Sequence, residues 1–273
     1  MLHNQFYKRF KFLLLLLFAI IKWNEFILAQ SELEHLHLAS DTLFNSQQNI
    51  NILMLNKNDM NQYQIDLVYQ DSLVSTSTMG IRSKAYAAIN GGFFNMKEGY
   101  SVSYLEHRDS IIAVTQNEKE KRKTNTSMLN ASFIIEKEGD VIIQREEKDS
   151  VYYSSQKEHG VLGAGPLLLM DGRKSLVRAT PFSSNRHPRT CICETEKSIL
   201  FVTIDGRNTN AAGMTLFELQ DFLISLDCLD AINMDGGGST TMWIKEKGVV
   251  NMPSDNTGER PAANAIIIRK IED

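Results

Sequence analysis

One segment near the end of the chain combines the residue types that chemistry on an anion requires. It holds a carboxylate, three glycines and two hydroxyls: Asp235, Gly236, Gly237, Gly238, Ser239 and Thr240. Successive glycine N–H groups can form a concave anion-binding nest. No Gly-Lys-Ser/Thr follows the glycines, so this is not the phosphate loop of nucleotide hydrolases. Because three consecutive glycines cost conformational entropy, we interpret the segment as a functional loop rather than a plain hairpin turn.

A second candidate segment is basic. Arg186, His187 and Arg189 stand within four residues of one another. Arginine offers a planar fork of donors for phosphate or carboxylate, and histidine can exchange a proton near neutral pH. Pro188 restricts His187 to an extended conformation, and a predicted strand begins at Thr190, so the segment is rigid. An exposed basic loop without a function is the alternative.

Two smaller clusters pair glycine with polar neighbours. Asn90, Gly91 and Gly92 follow an apolar run, and the glycines allow close approach of the backbone to a ligand or to another chain segment. A plain turn is the alternative interpretation. Residues 163–166 read Gly-Ala-Gly-Pro, which fits tight packing and a ligand groove equally well.

Further charged candidates lie at the ends of predicted elements. Asp205 and Arg207 end a predicted strand, and Arg260 lies in a polar loop. Glu218 stands three residues after Thr215, and this spacing forms a capping box at the start of a helix. The cap explains Glu218 as a structural residue, and a catalytic carboxylate is the competing interpretation.

These candidates must be positioned by a framework that the sequence predicts to be mainly strands. Short runs of β-branched and apolar residues, bounded by Asn, Asp or Gly, predict the strands. They lie at residues 50–55, 63–69, 85–89, 110–115, 131–135, 141–144, 190–194, 199–204, 231–234, 243–244, 249–250 and 265–268. Residues 216–226 carry the spacing of an amphipathic helix. We therefore expect a single α+β domain with a mixed β-sheet core and few helices.

Three connecting segments complete this organisation. Residues 31–48 are polar and are predicted to be an entry segment before the first strand. Residues 116–127 contain no apolar side chain and are predicted to be a solvated loop. The Glu-Gly-Asp sequence at residues 138–140 predicts a hairpin turn.

Composition narrows the class of protein. The chain has 273 residues, of which 42% are hydrophobic and 23% are charged. These values exclude general disorder and a small disulfide-stapled protein. The formal net charge is −4 and there is no basic stripe, so we expect no nucleic-acid partner.

The chain has three cysteines: Cys191, Cys193 and Cys228. An odd number prevents complete pairing within one chain. Cys191 and Cys193 point to the same face of a predicted strand, where two buried thiols are the favoured interpretation. A bridge from Cys228 to either of them stays open.

The first thirty residues have the layout of a secretory signal peptide. A basic cluster precedes an apolar run at residues 12–21, and a small residue, Ala29, follows. We therefore predict a signal peptide at residues 1–30, a domain at residues 31–273 and no stable membrane span after removal of the signal. The predicted location is exported: periplasmic, cell-surface or secreted. An uncleaved amphipathic anchor is the alternative.

Together, the motifs resemble those of the phosphodiester glycosidase family. In order, they are Asn90-Gly-Gly-Phe-Phe94, Gly163-Ala-Gly-Pro166, His187-Pro-Arg-Thr190, Asp205-Gly-Arg207, Gly213-Met-Thr-Leu-Phe-Glu218, Asn233-Met-Asp-Gly-Gly-Gly-Ser-Thr240 and Asn251-Met-Pro-Ser-Asp255, the last followed by Arg260-Pro261. Each motif is weak alone, and their order makes the resemblance specific. The resemblance covers about residues 80–270, and the chain is most similar to the compact exported bacterial members of the family.

The resemblance implies cleavage of a sugar-1-phosphate diester at the anomeric C–O bond, which releases free sugar and a phosphomonoester. Positive charge develops on the sugar and negative charge on the departing phosphate. A carboxylate must stabilise the sugar cation or activate water, and donors must bind the anion. Asp235 is the first choice of carboxylate, Asp205 and Glu218 follow, and His187 is the predicted proton donor.

The predicted substrate-binding residues serve the sugar and the phosphate. Asn90 is expected to bind a sugar hydroxyl. The whole set is Asn90, Gly91, Gly92, Arg186, Arg189, Arg207, Gly236, Gly237, Gly238, Ser239, Thr240 and Arg260.

The expected partner is a phosphorylated glycan or a small sugar-phosphate substrate. No cofactor and no metal ligand are predicted, and a structural calcium ion is left open because Asp and Asn are plentiful in loops. A non-catalytic protein that binds phosphoglycans on the same fold is the first alternative. A metal-dependent phosphodiesterase is the second, but it needs clustered ligands. The only closely spaced histidine pair is His35 and His37, in the predicted entry segment.

Overall fold

The computed structural model describes residues 33–115 and 128–271. The predicted signal peptide and the predicted loop at residues 116–127 lie outside the described residues. Within the described part, no helix is long and apolar enough to cross a membrane.

The described chain forms seventeen strands. They are β1 (Glu34–Ser40), β2 (Gln48–Asn56), β3 (Tyr63–Val74), β4 (Ala87–Asn90), β5 (Leu105–His107), β6 (Ser110–Ala113), β7 (Ala131–Glu136), β8 (Val141–Arg145), β9 (Glu158–Ala164), β10 (Leu167–Met170), β11 (Arg173–Lys174), β12 (Arg189–Glu194), β13 (Ser198–Ile204), β14 (Asp230–Asn233), β15 (Met242–Ile244), β16 (Gly248–Val249) and β17 (Ala262–Lys270). Four short α-helices connect them: α1 (Thr76–Arg82), α2 (Asp149–Ser154), α3 (Pro181–Ser184) and α4 (Leu216–Ser225). The predicted α+β class with few helices is confirmed.

The strands form three sheets. The seven-stranded sheet has the order β1-β2-β13-β12-β14-β10-β11, and the two five-stranded sheets have the orders β16-β15-β4-β17-β3 and β6-β5-β9-β7-β8. Every pairing between these strands is antiparallel. The predicted turn at residues 138–140 joins β7 to β8, with Gly139 at a φ of 98°.

Side chains alternate between the two faces along each strand, and both faces are buried at the central strands of the seven-stranded sheet. On one face, Ile192 joins a core that also contains residues of the two other sheets, such as Phe133 and Ile266. On the other face, Cys191 packs in a second cluster with Phe222 of α4. The sheet therefore holds the rest of the domain on one side and helix α4 on the other.

Helix α4 forms as its sequence predicts. The Thr215 hydroxyl accepts from the Glu218 N–H at 3.0 Å, and the Glu218 carboxylate accepts from the Thr215 N–H at 2.9 Å. This reciprocal cap satisfies two N–H groups that the first turn leaves unpaired.

The cysteines differ from the favoured expectation. Cys193 and Cys228 form a disulfide, and Cys191 is a buried free thiol. The prediction that Cys191 and Cys193 are both thiols is therefore wrong for Cys193. The bridge forms because α4 and the turn after it return Cys228 to the face of β12 on which Cys193 lies.

The predicted entry segment also needs a correction. Residues 34–40 do not precede the first strand: they form the edge strand β1, which pairs along its whole length with β2. His35 and His37 point to one face of this strand, where they contact Asn51 and Asn49. The sequence did not predict this strand because its side chains are largely polar, and an edge strand can be polar since it buries less surface than a central one.

Candidate functional site

The predicted functional loops lie at the same end of the central strands of the seven-stranded sheet. Because β12 runs antiparallel to both neighbours, Arg189 at its start pairs with Ile204 at the end of β13. Cys191 likewise pairs with Asn233 at the end of β14. The segments at residues 186–188, 205–207 and 235–240 therefore begin close together.

Asn90, the last residue of β4, connects the five-stranded sheet that contains β4 to these strand ends. Its Oδ1 accepts from the Thr190 hydroxyl at 2.7 Å and from the Thr241 N–H at 3.0 Å, and its Nδ2 donates to the Asp235 carbonyl at 2.7 Å. The residue is 1% exposed. This corrects the predicted contact with a sugar hydroxyl, because the amide is committed inside the protein. Asn90 is a positioning residue for the loop that carries Asp235.

Gly91 and Gly92 allow close contact with Asn264 of β17. The Gly92 N–H donates to the Asn264 Oδ1 at 2.7 Å, and a Cβ on Gly91 would lie only 2.1 Å from that oxygen. Their predicted contact with substrate stays a prediction. Sequence reasoning missed Asn264, although a lone asparagine in an otherwise apolar strand was the available signal.

The glycine run packs against Pro188. The Gly237 N–H donates to the Pro188 carbonyl at 2.9 Å, and a Cβ on Gly236 would lie 2.8 Å from the same oxygen. Gly237 has a φ of 62°, which glycine adopts without the steric cost that other residues bear. The Gly236 N–H donates to the Asp235 carboxylate at 2.9 Å. The predicted nest of three free N–H groups is therefore wrong for Gly236 and Gly237, whose N–H groups are already used.

Two guanidinium groups lie against the glycine run instead. A Cβ on Gly237 would lie 3.1 Å from both terminal nitrogens of Arg207, and one on Gly238 would lie 2.2 Å from a terminal nitrogen of Arg260. Arg260 forms a two-pronged ion pair with Asp255, at 2.8 and 3.0 Å. The anion-binding capacity of this loop therefore comes from side chains, and the glycines leave room for them.

Arg207 and Arg260 form a cationic surface along the glycine run, and His187 lies beside it. Its Nδ1 lies 3.3 Å from a terminal nitrogen of Arg207. Burial lowers the pKa of the His187 imidazole, and the charges of Arg189 and Arg207 lower it further. Both effects favour the neutral imidazole over the charged one. The predicted role of His187 as a proton donor stays a prediction.

Asp235 is a half-buried carboxylate among these groups. Burial raises its pKa to about 6, although the Ser239 hydroxyl, the Gly236 N–H and the charge of Arg260 oppose the rise. It is therefore ionised at neutral pH and holds a proton more readily than an exposed aspartate. A carboxylate of this kind can act as a base or stabilise a developing positive charge.

Asp205 is more deeply buried, at 1% exposure. Its Oδ1 accepts from the Asn251 Nδ2 at 3.2 Å and the Met252 N–H at 2.9 Å, whereas its Oδ2 has no hydrogen-bond partner among the described residues. Burial raises the pKa of Asp205 to about 6. Asn251 also donates to the Thr240 carbonyl at 3.0 Å. Asp205 therefore holds the end of the glycine loop in place through Asn251.

Three hydroxyls near this loop have unused hydrogen-bonding capacity. The hydroxyls of Thr240 and Thr241 are buried and lack a partner among the described residues. The Ser239 side chain is 1% exposed and adjoins the Asp235 carboxylate. The predicted contact of Ser239 and Thr240 with substrate stays a prediction.

Arg189 does not face the cationic surface. It is 1% exposed, its Nε donates to the Met214 carbonyl at 2.9 Å, and its Nη2 donates to the Phe182 carbonyl at 2.6 Å. Its guanidinium also lies 4.8 Å from the centre of the Phe182 ring. Burial lowers the pKa of Arg189 to about 9. The predicted anion contact is therefore wrong, because the fork holds backbone carbonyls together.

Arg186 and Glu218 are paired with each other. Arg186 Nε lies 3.1 Å from both carboxylate oxygens of Glu218, and its Nη2 donates to the Phe44 carbonyl at 2.7 Å. Burial raises the pKa of the Glu218 carboxyl, but the bonds to Arg186 and Thr215 outweigh it and the net shift is downward. The pair anchors helix α4 to the segment around Phe44. The predicted roles of Glu218 in catalysis and of Arg186 in anion binding stay predictions.

The structure thus brings together Asp235, the glycine run, His187, Arg207 and Arg260. A model of the phosphodiester glycosidase family matches residues 83–269, which span all of these groups. The chain belongs to the phosphodiester glycosidase family.

Individual relatives agree with this assignment. The chain is 23% identical over 183 residues to the human N-acetylglucosamine-1-phosphodiester alpha-N-acetylglucosaminidase, a match that covers 62% of this chain and 33% of the relative. It is 25% identical over 130 residues to an uncharacterised SPbeta prophage-derived protein of Bacillus subtilis, covering 46% of this chain and 20% of that protein. The chain therefore spans about a third or less of these relatives.

The fold of this phosphodiester glycosidase domain is also found in a solved structure. The zebrafish N-acetylglucosamine-1-phosphodiester alpha-N-acetylglucosaminidase catalytic domain, auto-inhibited by its pro-peptide, superposes with a TM-score of 0.70. The two are 17% identical, and the match covers 88% of this chain and 83% of the zebrafish one. Such a likeness shows the fold. Membership of the family identifies this chain as a hydrolase, without specifying its substrate.

Proposed function

We propose that this chain hydrolyses a sugar-1-phosphodiester at the anomeric C–O bond, releasing free sugar and a phosphomonoester. The observation that carries the proposal is the position of Asp235. A half-buried carboxylate with a pKa of about 6 stands at the end of β14, and Arg207 and Arg260 lie against the adjacent glycines. A carboxylate that has no ion-pair partner among the described residues, beside the Arg207 guanidinium and the Arg260–Asp255 ion pair, matches the charges that this reaction creates.

Asp235 serves the sugar side of the reaction. As the C–O bond breaks, the ring gains positive charge, which a nearby carboxylate stabilises, or the carboxylate takes a proton from attacking water. Its backbone is fixed at both ends of the residue, since its N–H donates to the Gly91 carbonyl at 3.1 Å and its carbonyl accepts from Asn90. A fixed carboxylate loses little by reorganising in the transition state.

The cationic surface serves the phosphate side. The phosphomonoester leaves as an anion and needs less protonation than an alkoxide leaving group would. Arg207 therefore contributes donors to the departing oxygens, His187 lies beside it, and Arg260 adds charge across the loop. Asp255 keeps Arg260 in place through the two-pronged pair.

We also propose that the chain is exported, on the basis of the signal-like residues 1–30 and the Cys193–Cys228 disulfide. Disulfides persist in oxidising compartments and are rare in the cytosol of most organisms. The test is N-terminal sequencing of the chain recovered from its native host: a start near residue 31 supports export, and an intact first thirty residues in the cytosolic fraction contradicts it.

Product analysis tests the proposed reaction. The purified chain is incubated with GlcNAc-1-phosphate methyl diester and with UDP-GlcNAc, each with and without EDTA, beside an Asp235→Asn variant. The proposal predicts free GlcNAc and a phosphomonoester, with or without EDTA, and a severe loss in the variant.

Two other outcomes would change the assignment. Release of sugar-1-phosphate that stops with EDTA would indicate a metal-dependent phosphodiesterase. Tight binding of several sugar-1-phosphodiesters without any turnover would indicate a phosphoglycan-binding protein.

A further inference from the structure

A second group of chemically capable side chains lies away from the glycine loop, where the two five-stranded sheets meet. Asp66 comes from β3, His107 from β5 and His159 from β9. The Asp66 Oδ1 lies 2.9 Å from His107 Nε2 and 3.2 Å from His159 Nε2. No residue of this cluster belongs to the site around Asp235.

The cluster has the composition and spacing of a transition-metal site. One carboxylate oxygen and two imidazole nitrogens lie within 4.8 Å of one another. Tetrahedral zinc with bonds of about 2.0–2.1 Å places its ligand atoms about 3.3 Å apart, close to the separations found here. Two imidazoles and a carboxylate are ligands of zinc and its neighbours, whereas magnesium and calcium prefer oxygen atoms.

The carboxylate is held in place for such a role. The Asp66 side chain is fully buried, and its Oδ2 accepts from Arg269 at 2.7 Å and from Arg108 at 3.1 Å. Its Oδ1 also accepts from the Leu67 N–H at 2.9 Å. The oxygen that faces the imidazoles is therefore fixed from behind. The two histidines keep about a fifth of their surface exposed, at 17% and 21%, so an ion has a route from solvent.

The backbone around the cluster favours close approach of the sheets. Gly160 pairs with His107 across β9 and β5, and a Cβ on Gly160 would lie 3.0 Å from the Leu67 side chain. The glycine thus allows β3 to pack directly against β9 beside the three ligand atoms.

We propose that Asp66, His107 and His159 form a binding site for one zinc-like divalent transition metal, which joins the two five-stranded sheets. Metal binding would replace the hydrogen bonds between the two imidazoles and Oδ1. Each ring would then carry its proton on Nδ1, and Nε2 would become the ligand. The charges of Arg108 and Arg269 reduce the affinity for any dication and favour ions that imidazole binds strongly.

Metal binding to the full chain tests the proposal. The protein is stripped with a chelator, then ZnCl₂ is added and bound zinc is measured after gel filtration. One zinc ion per chain is expected at pH 7.5, and MgCl₂ should leave the protein unchanged. At a free zinc concentration about a hundred times Kd, the Tm should rise by about 5 °C or more.

A matched pair of variants locates the ion. His107→Gln with His159→Gln should abolish zinc retention and the Tm rise. His35→Gln with His37→Gln removes the same number of histidines from β1 and should change neither. Equal retention by both double variants, or no zinc in the wild-type chain, would overturn the proposal.

Cobalt provides a readout that needs no variant to fold. Co²⁺ added to the stripped wild-type chain should bind once per chain and give visible d–d absorption, which Zn²⁺ then removes by competition. A wild-type chain without this absorption would also overturn the proposal.

Discussion

Two aspartates, Asp66 within β3 and Asp235 in the loop after β14, have opposite electrostatics. Burial alone would raise the pKa of Asp66, but the hydrogen bond and charge of His107 and those of Arg269 lower it well below its usual range. Burial raises the pKa of Asp235 to about 6, and nearby donors and charge only partly compensate.

The number of committed partners explains this difference. Donors from five residues, four of them side chains, contact the Asp66 carboxylate. The Asp235 carboxylate has its own neighbouring N–H and an adjoining hydroxyl, while the cations beside it are arranged around the glycines. A fully partnered buried carboxylate is costly to remove because its partners are left buried and unpaired, whereas a partly partnered one keeps free capacity for a substrate. The comparison therefore assigns stability to one region and chemistry to the other.

The strongest test of that division removes the charge of Asp235. Asp235→Asn should lower kcat/KM by about a thousandfold or more, because the group acts in the transition state. Its Tm should stay within a few degrees of wild type. Asp227→Asn, at an exposed position after α4, is the control and should keep full activity. A variant with near-normal turnover would remove Asp235 from the chemistry.

Removing the charge of Asp66 should do the reverse. Asp66→Asn is expected to lower the free energy of unfolding by about 3 kcal/mol in chelated buffer, because two arginines lose their buried partner. The folded fraction should retain kcat. Denaturant titration and steady-state kinetics measure the two effects, with Asp71→Asn on the exposed part of β3 as control. Loss of kcat without loss of stability would break the comparison.

Asp205 sharpens the comparison because it is buried with one unpartnered oxygen. Its folded pKa of about 6 exceeds the usual unfolded value of about 3.9, so the folded state binds more protons between these values. Wild-type stability contributed by this group therefore falls as the pH rises through that window. Asp205→Asn should gain about 2 kcal/mol over wild type between about pH 4 and pH 8. Denaturant titrations at both pH values measure the gain, and a pH-independent difference would contradict the assignment.

The smallest predicted effect concerns Arg207, which is exposed over Gly237. Arg207→Lys keeps the charge and loses the planar fork, so kcat/KM should fall about tenfold with an unchanged Tm. The control is Arg173→Lys on the exposed strand β11. The buried Arg189→Lys should instead lower Tm and leave KM unchanged. The opposite pattern would place Arg189, not Arg207, on the substrate.

Much of the framework could be predicted from the sequence, because its signals are local. The strand runs, the Thr215–Glu218 cap and the turn at residues 138–140 each depend on a few neighbouring residues. The strands β1, β5, β9, β10 and β11 were not predicted, since their sequences are short, polar or contain glycine and pairing with distant strands stabilises them.

The site was predictable in its residue types and only partly in its geometry. Motif order identified the loop at residues 235–240, but no sequence pattern shows that Arg189 turns inward while Arg207 turns outward. The sequence does not distinguish a charged side chain that turns inward at a strand end from one that turns outward, because tertiary packing sets the direction. The metal-like cluster could not be found by spacing, because Asp66, His107 and His159 are far apart in the chain and only the packing of two sheets joins them.

The most direct test of the proposed reaction is hydrolysis of a GlcNAc-1-phosphate diester in water enriched in ¹⁸O, followed by mass spectrometry of both products. Cleavage of the anomeric C–O bond assisted by Asp235 predicts no label in the phosphomonoester, and label in the free sugar beyond the amount that GlcNAc alone takes up from the same water. Label in the phosphate, with no more label in the sugar than that amount, would mean that the P–O bond breaks and would contradict the account.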